Sequence, residues 1–192
     1  MNRIFVLMGK SASGKDSIFK ELTSGEGGKL RTVIPYTTRP LREGERDGIE
    51  YRFSNEEAFL ELKDKGRVIE DRSYETVQGI WRYFTVDDGS FEDGSDIILI
   101  GTLESFVSIR DYFKGTKAVV PIYIECDDGD RLIRAVNREK NSPAPDYREL
   151  CRRFLADDID FSDEKLRAAG VDHRIKNDDL KQCVRDIKEL IG

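Results

Sequence analysis

Cysteine is scarce in this 192-residue chain, positive charge is not in surplus, and long apolar runs are missing. The three cysteines, Cys126, Cys151 and Cys183, are odd in number and share no metal-ligand spacing. That excludes a disulfide framework or a zinc site as the basis of the fold, and a reducing, cytoplasmic setting is expected. A net charge of −6 argues against a general nucleic-acid or anionic-membrane binder, whose affinity rests on excess Lys and Arg. Any anion site must be a local basic focus in an acidic protein. The earliest apolar run, Ile4 to Met8, is too short for a signal segment or a membrane span. No targeting segment, internal repeat or low-complexity tract is expected, and the length suits one domain that buries a core without metal or disulfides.

What is present is an alternation of strand and helix patterns. Arg3 to Met8 reads as a buried strand and Asp16 to Leu22 as a helix with Ile18, Phe19 and Leu22 on its apolar side. The apolar runs Ile97 to Ile100 and Ala118 to Ile124 are followed by helical patterns from Leu103 and Asp128. A last strand-like piece, Asp172 to Ile175, leads through Asn177 and Asp178 into an amphipathic helix carrying Leu180, Val184, Ile187 and Leu190. This is the signature of an α/β fold with a mostly parallel sheet. Residues 36–86 interrupt it, with turn signals at Glu43-Gly44 and Asp47-Gly48 and a β-rich stretch from Val68 to Val86, so an inserted, mainly β subdomain is expected. The stretch from Arg131 to Arg153 carries six arginines around Asn141-Ser142-Pro143-Ala144-Pro145 and reads as a helical lid.

Between the first strand and the first helix lies Gly9-Lys10-Ser11-Ala12-Ser13-Gly14-Lys15-Asp16. It has the GxxxxGK pattern, in which glycines let the backbone approach a phosphate, N–H groups converge on the anion, and a helix N-terminus stands behind them. Gly9, Ser11, Ala12, Ser13, Gly14, Lys15, Asp16 and Ser17 are therefore candidate triphosphate contacts, and Lys15 would follow the γ-phosphoryl group during transfer. The pattern normally ends in Ser or Thr, whose hydroxyl ligates Mg²⁺; here Asp16 stands in that place. Regulatory GTPases are excluded, because no Asn precedes a Lys and no Gly follows an Asp by three residues.

The segment Tyr36-Thr37-Thr38-Arg39-Pro40-Leu41-Arg42-Glu43-Gly44-Glu45-Arg46-Asp47-Gly48-Ile49-Glu50-Tyr51-Arg52-Phe53 resembles the GMP-binding segment of guanylate kinases, TTRxxRxGExxGxxYxF, at every fixed position. Two guanidinium groups three residues apart and a phenol also make chemical sense as a monophosphate clamp. The resemblance implies a three-layer P-loop kinase fold: a core of residues 1–34, 87–130 and 154–192, a GMP-binding insertion of 35–86 and a lid of 131–153. It implies Mg²⁺-dependent transfer from ATP to GMP, with no nucleic-acid or membrane partner, in a monomer or homodimer. It assigns Arg39, Arg42, Tyr51 and Tyr83 to the GMP phosphate and Glu70 and Thr85 to the base side, and Thr102, where the family normally carries an acid, is a further candidate GMP contact. It gives Arg134, Arg138 and Arg153 to the closing lid and Asn177 to the ATP adenine.

Three departures from the family pattern are visible. The strand around Ile98 to Thr102 lacks the expected acids, with Glu104 the next carboxylate; Asp16 occupies the hydroxyl position of the loop; and Pro35 stands where many members have a Ser near the guanine amine. The first two read together as relocation of a metal-side carboxylate to Asp16. Alternatives are a monophosphate kinase with another acceptor and a non-catalytic phosphopeptide-binding module, the latter disfavoured by the intact Gly9, Gly14 and Lys15. Trp81 and His173 carry no chemistry the sequence can assign.

Overall fold

The computed structural model describes residues 2–24, 30–42, 44–76, 79–92 and 94–192. Glu43 of the expected turn and residues 77–78 of the β-rich stretch lie outside them. A central sheet of five parallel strands is built from β1 (Arg3–Met8), β2 (Leu30–Thr32), β7 (Asp96–Ile100), β8 (Ala118–Glu125) and β9 (Arg174–Lys176), in the order β2-β7-β1-β8-β9. Alternate side chains of a strand face opposite sides, and β1 serves two cores. Ile4, Val6 and Met8 pack with Leu103, Phe106 and Ile109 of α3 (Leu103–Tyr112). Phe5 and Leu7 pack with Ile18 and Leu22 of α1 (Lys15–Thr23) and with Cys183, Val184 and Ile187 of α7 (Leu180–Ile191). Covering both faces explains why the strands read as continuous apolar runs rather than alternating ones.

From β1 the chain crosses to β2 at one edge, returns to β7 beside β1, and then adds β8 and β9 on the other side, so β1 lies at the switch point of the sheet. Ligands of open α/β sheets bind outside the carboxyl ends of the strands at such a point. The glycine-rich loop is placed there by topology.

Between β2 and β7 the chain forms a second sheet from β3 (Tyr36–Thr37), β4 (Arg52–Phe53), β5 (Val68–Thr76) and β6 (Gly79–Val86), ordered β4-β3-β6-β5. Its β5–β6 pairing sets Glu70 opposite Thr85 and Arg72 opposite Tyr83. The insertion also holds α2 (Glu56–Asp64), capped by Asn55 and seating Phe59 against Phe84 and Val86. The mainly β reading passed over this helix, although Asn55 followed by two glutamates is a start signal. The closing strand begins at Arg174, two residues later than expected, because pairing with Tyr123 to Glu125 of β8 sets its register.

After β8 come α4 (Asp128–Lys140), α5 (Tyr147–Asp160) and the short α6 (Asp163–Ala168). Cys126, Cys151 and Cys183 are unpaired, and no helix among the described residues is long and apolar enough to cross a membrane.

Candidate active site

The loop after β1 adopts its shape through two residues with positive φ, Ala12 at 60° and Gly14 at 91°. Gly14 is the N-cap of α1 and supplies no side-chain cap, so the first N–H groups of the helix are left for an outside acceptor. A Cβ on Gly14 would lie 2.3 Å from Asn177 Nδ2, and one on Gly9 would lie 2.7 Å from Ser13 Oγ. Both glycines are thus required by close packing, and Gly14 by its backbone angle as well.

The loop is held from behind. Asp157 accepts the Ser11 N–H at 2.7 Å, while Arg131 Nε donates to the Ser11 carbonyl at 3.1 Å. Arg131 is 1 % exposed, pairs with Asp157 at 3.1 Å and with Asp128, and lies over the Phe154 ring. This arginine, counted with the lid in the sequence, is a buried brace of the phosphate loop. Substituting Arg131 by leucine is expected to cost about 3 kcal/mol, because Asp157 would remain partly buried without its cation; an unchanged urea unfolding midpoint would contradict that role. Asn177 is buried and donates from Nδ2 to the Ser13 carbonyl at 2.7 Å. Arg134 reaches the Asn177 carbonyl at 3.5 Å and lies near Gly14. Ser17, Arg138 and Arg153 are exposed, and Arg153 pairs with Glu149 at 3.4 Å.

In front of the loop a cavity of about 450 Å³ runs between the two sheets. Its wall brings Lys15 and Asp16 together with Tyr51, Glu70, Arg72, Tyr83, Thr85 and Thr102. Pro35 and Ile100 also line it. Lys15 Nζ lies 3.5 Å from the Asp16 carboxylate, which is exposed.

At the clamp end, Arg39 is 3 % exposed and forks onto Glu45 at 2.8 and 2.7 Å. That contact, with the Arg42 N–H, holds the Glu45 carboxyl at about 2 and keeps Arg39 above its ordinary value. Arg39 stacks over Tyr51 and Phe53, and its Nε is buried with no partner among the described residues. Tyr51 meets Tyr83 edge-on at 5.6 Å, and burial, then the neighbouring Tyr83, push its phenol up. Arg39 lies behind these rings rather than on the cavity wall, and the Arg42 side chain is exposed.

At the other end the Glu70 carboxylate is buried. Oε1 accepts from Thr85 Oγ1 at 2.8 Å and Oε2 from Ser105 Oγ at 3.1 Å, with Arg72 Nε at 3.4 Å. Ser105 and Arg72 escaped the sequence reading. Ser105 sits inside a helical pattern with nothing to separate it from a packing serine, whereas the i, i+2 relation of Glu70 and Arg72 on a strand was a usable signal.

A glycine loop at the switch point of a parallel sheet, an uncapped helix behind it and a cavity leading to a second sheet define an α/β protein of the P-loop nucleotide-binding class. Residues 1–82 match the family model described as guanylate kinase. Relatives include the guanylate kinases of Neisseria meningitidis serogroup A, 28 % identical over 98 % of this chain and 86 % of its own length, and Desulfotalea psychrophila, 24 % identical over 98 % and 88 %. The guanylate kinase structure from Anaplasma phagocytophilum matches with a TM-score of 0.65 at 18 % identity, over 99 % of this chain and 84 % of that one. The chain is thus similar to guanylate kinases, in its first 82 residues by the family model and along nearly its whole length by these relatives.

Proposed function

We propose that this protein transfers the γ-phosphoryl group of ATP to GMP, giving ADP and GDP. The observation that carries this reading is one cavity lined by Lys15 together with Tyr51, Tyr83 and Glu70. A phosphate donor and a nucleoside monophosphate acceptor are thereby directed into one space. The acceptor is already a phosphate oxygen, so catalysis is mainly positioning and charge stabilisation.

In this reading the uncapped N–H groups of α1 and Lys15 hold the donor's phosphates. Tyr51, Tyr83, Arg39 and Arg42 hold the GMP phosphate. The exposed Arg42 guanidinium is a donor not committed to Glu45, whereas Arg39, buried behind the tyrosine rings and forked onto Glu45, would have to leave that pair to reach the phosphate. Glu70 accepts from guanine N1–H and the 2-amine, with Thr85 and Thr102 beside it. Arg134, adjacent to Gly14, is the lid arginine placed to reach the triphosphate, and Arg138 and Arg153 join it only when the lid helices close. Asn177 supports the loop from behind through Nδ2 while its side-chain Oδ1 is left for the adenine side.

Guanylate kinases generally use Mg²⁺, which when bound would neutralise phosphate charge. Such an ion is held by one or two carboxylates together with phosphates and water. The exposed Asp16 carboxylate on the cavity wall fits that donor set, and β7 presents only Leu99 and Ile100 there. Asp16→Asn is expected to raise the Mg²⁺ concentration giving half-maximal turnover about tenfold, in line with the loss of a ligand or its outer partner. An unchanged Mg²⁺ titration with unchanged turnover would remove Asp16 from the metal shell.

We also place the protein in the cytoplasm, where both nucleotides are available. The function as a whole is tested by a coupled ADP-release assay with Mg-ATP against GMP, dGMP, AMP, CMP and UMP. Turnover restricted to the guanine nucleotides supports it. Turnover with another monophosphate would shift the acceptor, as Pro35 and Thr102 leave open, and no turnover with any acceptor would favour a phosphopeptide-binding module.

A further inference from the structure

Glu70 is gripped from two separate sheets' worth of structure: Thr85 belongs to the inserted sheet, and Ser105 to α3 of the core. The proton inventory of this cluster can be followed atom by atom. A serine hydroxyl has one proton, and Ser105 gives it to Glu70 Oε2. The carboxylate, paired with Arg72, has none to return. Ser105 Oγ must then accept in its 3.1 Å contact with Thr102 Oγ1, so the Thr102 proton points inward to Ser105. One Thr102 lone pair takes the Ser105 N–H at 3.2 Å as the N-cap of α3. The other lone pair is left, and Thr102 lines the cavity whereas Ser105, 1 % exposed, does not.

We propose that Ser105 is a positioning residue that fixes Thr102 as a hydrogen-bond acceptor, so that Thr102 reads a proton of the exocyclic 2-amine of guanine. The inference rests on the GMP reading above and adds to it a discrimination within the purines that share an N1–H. Thr85 also directs its single proton to Glu70, so the base end of the cavity presents acceptors: both Glu70 oxygens, Thr85 Oγ1 and Thr102 Oγ1. Guanine brings three matching protons, one on N1 and two on the 2-amine. Hypoxanthine brings only the N1 proton, leaving Thr102 and one Glu70 oxygen without a donor from the base. A threonine is an ambiguous reader on its own, because its hydroxyl can rotate to donate. The relay Thr102 to Ser105 to Glu70 removes that freedom.

The test is steady-state kinetics with Mg-ATP and either GMP or IMP for the parent protein, Ser105→Ala, Thr102→Val and the double variant, with Thr102→Ser as the conservative control. Ser105→Ala is expected to lower the preference for GMP over IMP about fivefold, the scale of one uncharged hydrogen bond, with KM for ATP unchanged. Thr102→Val should lower the preference to a similar degree, the double variant should lose little more than either single one, and Thr102→Ser should retain the preference. Equal losses with GMP and IMP would mean that Ser105 only supports the fold or Glu70, and would overturn the inference. So would additive effects of the two substitutions, or an unchanged ratio. A parent protein that turns over GMP while Ser105→Ala keeps its ratio sinks this inference alone; a parent protein inactive on GMP sinks the proposed function and this inference with it.

Discussion

Replacing Lys15 by alanine is expected to lower kcat for phosphoryl transfer by about three orders of magnitude, the upper range for removing one preorganised stabiliser of transition-state charge. Lys15 opens α1 at the switch point, and its one ion pair among the described residues is the 3.5 Å contact with the exposed Asp16. Its ammonium is therefore held at the donor end of the cavity by a weak, solvent-screened partner and can follow a phosphate when one arrives. GMP affinity, measured by calorimetry without ATP, should stay within about twofold, since the contacts of Lys15 among the described residues are with Asp16 and those of Glu70 are with Thr85, Ser105 and Arg72. Lys15→Arg should not restore turnover, because a planar fork does not replace a compact point charge. A loss smaller than tenfold for Lys15→Ala would mean that the loop binds phosphate without stabilising its transfer.

The second large effect is expected at Glu70. Glu70→Gln keeps the shape but puts an amide NH₂ where one of two acceptor oxygens stood. Thr85 and Ser105 both donate toward this group, so one of them meets a donor, and Arg72 loses its counter-charge at 3.4 Å. With GMP, at least one of the N1–H and 2-amine protons loses its acceptor. Sites built around buried hydrogen bonds discriminate by roughly 10⁴ or more when those bonds are left unmade; a fall of about 10³-fold in the preference for GMP over AMP is expected here. The measurement is kcat/KM for each acceptor in one assay. A Glu70→Gln enzyme with its full preference for GMP would take Glu70 out of base recognition. The Ser105 and Glu70 experiments separate cleanly, because the first changes the choice between two bases that both carry an N1–H and the second the choice between guanine and adenine.

How much of this could be read beforehand differs from residue to residue. Strand β1 and the helices α1, α3, α4 and α7 were legible because a strand buried on both faces must be apolar throughout and a helix on one face must repeat its apolar residues. The phosphate loop was legible because its demands are local: a glycine at the positive-φ N-cap, Gly14, and a lysine at the first position of the helix. The TTRxxRxGExxGxxYxF match carried the insertion's chemistry for the same reason, since its arginines and tyrosine lie within one continuous segment. Other features depend on partners far away in the chain. Arg131 was indistinguishable from its lid neighbours until Asp157 and the Ser11 carbonyl closed around it. Asn177 was assigned to adenine, yet its amide also braces Ser13, 164 positions earlier.

The sequence by itself determined the main alternation of strands and helices and the phosphate loop with its odd Asp16, and it supplied the candidates for recognising a monophosphate, because periodicity, glycine placement and motif spacing are properties of neighbours along the chain. Tertiary structure alone decided which of those groups share a cavity, which arginine is a brace rather than a lid contact, and which way the hydroxyl protons around Glu70 point. Those outcomes depend on burial and on donors and acceptors drawn from separate strands and helices. A hydrogen bond between residues 35 positions apart, such as Ser105 to Glu70, leaves no periodic trace in the chain that makes it.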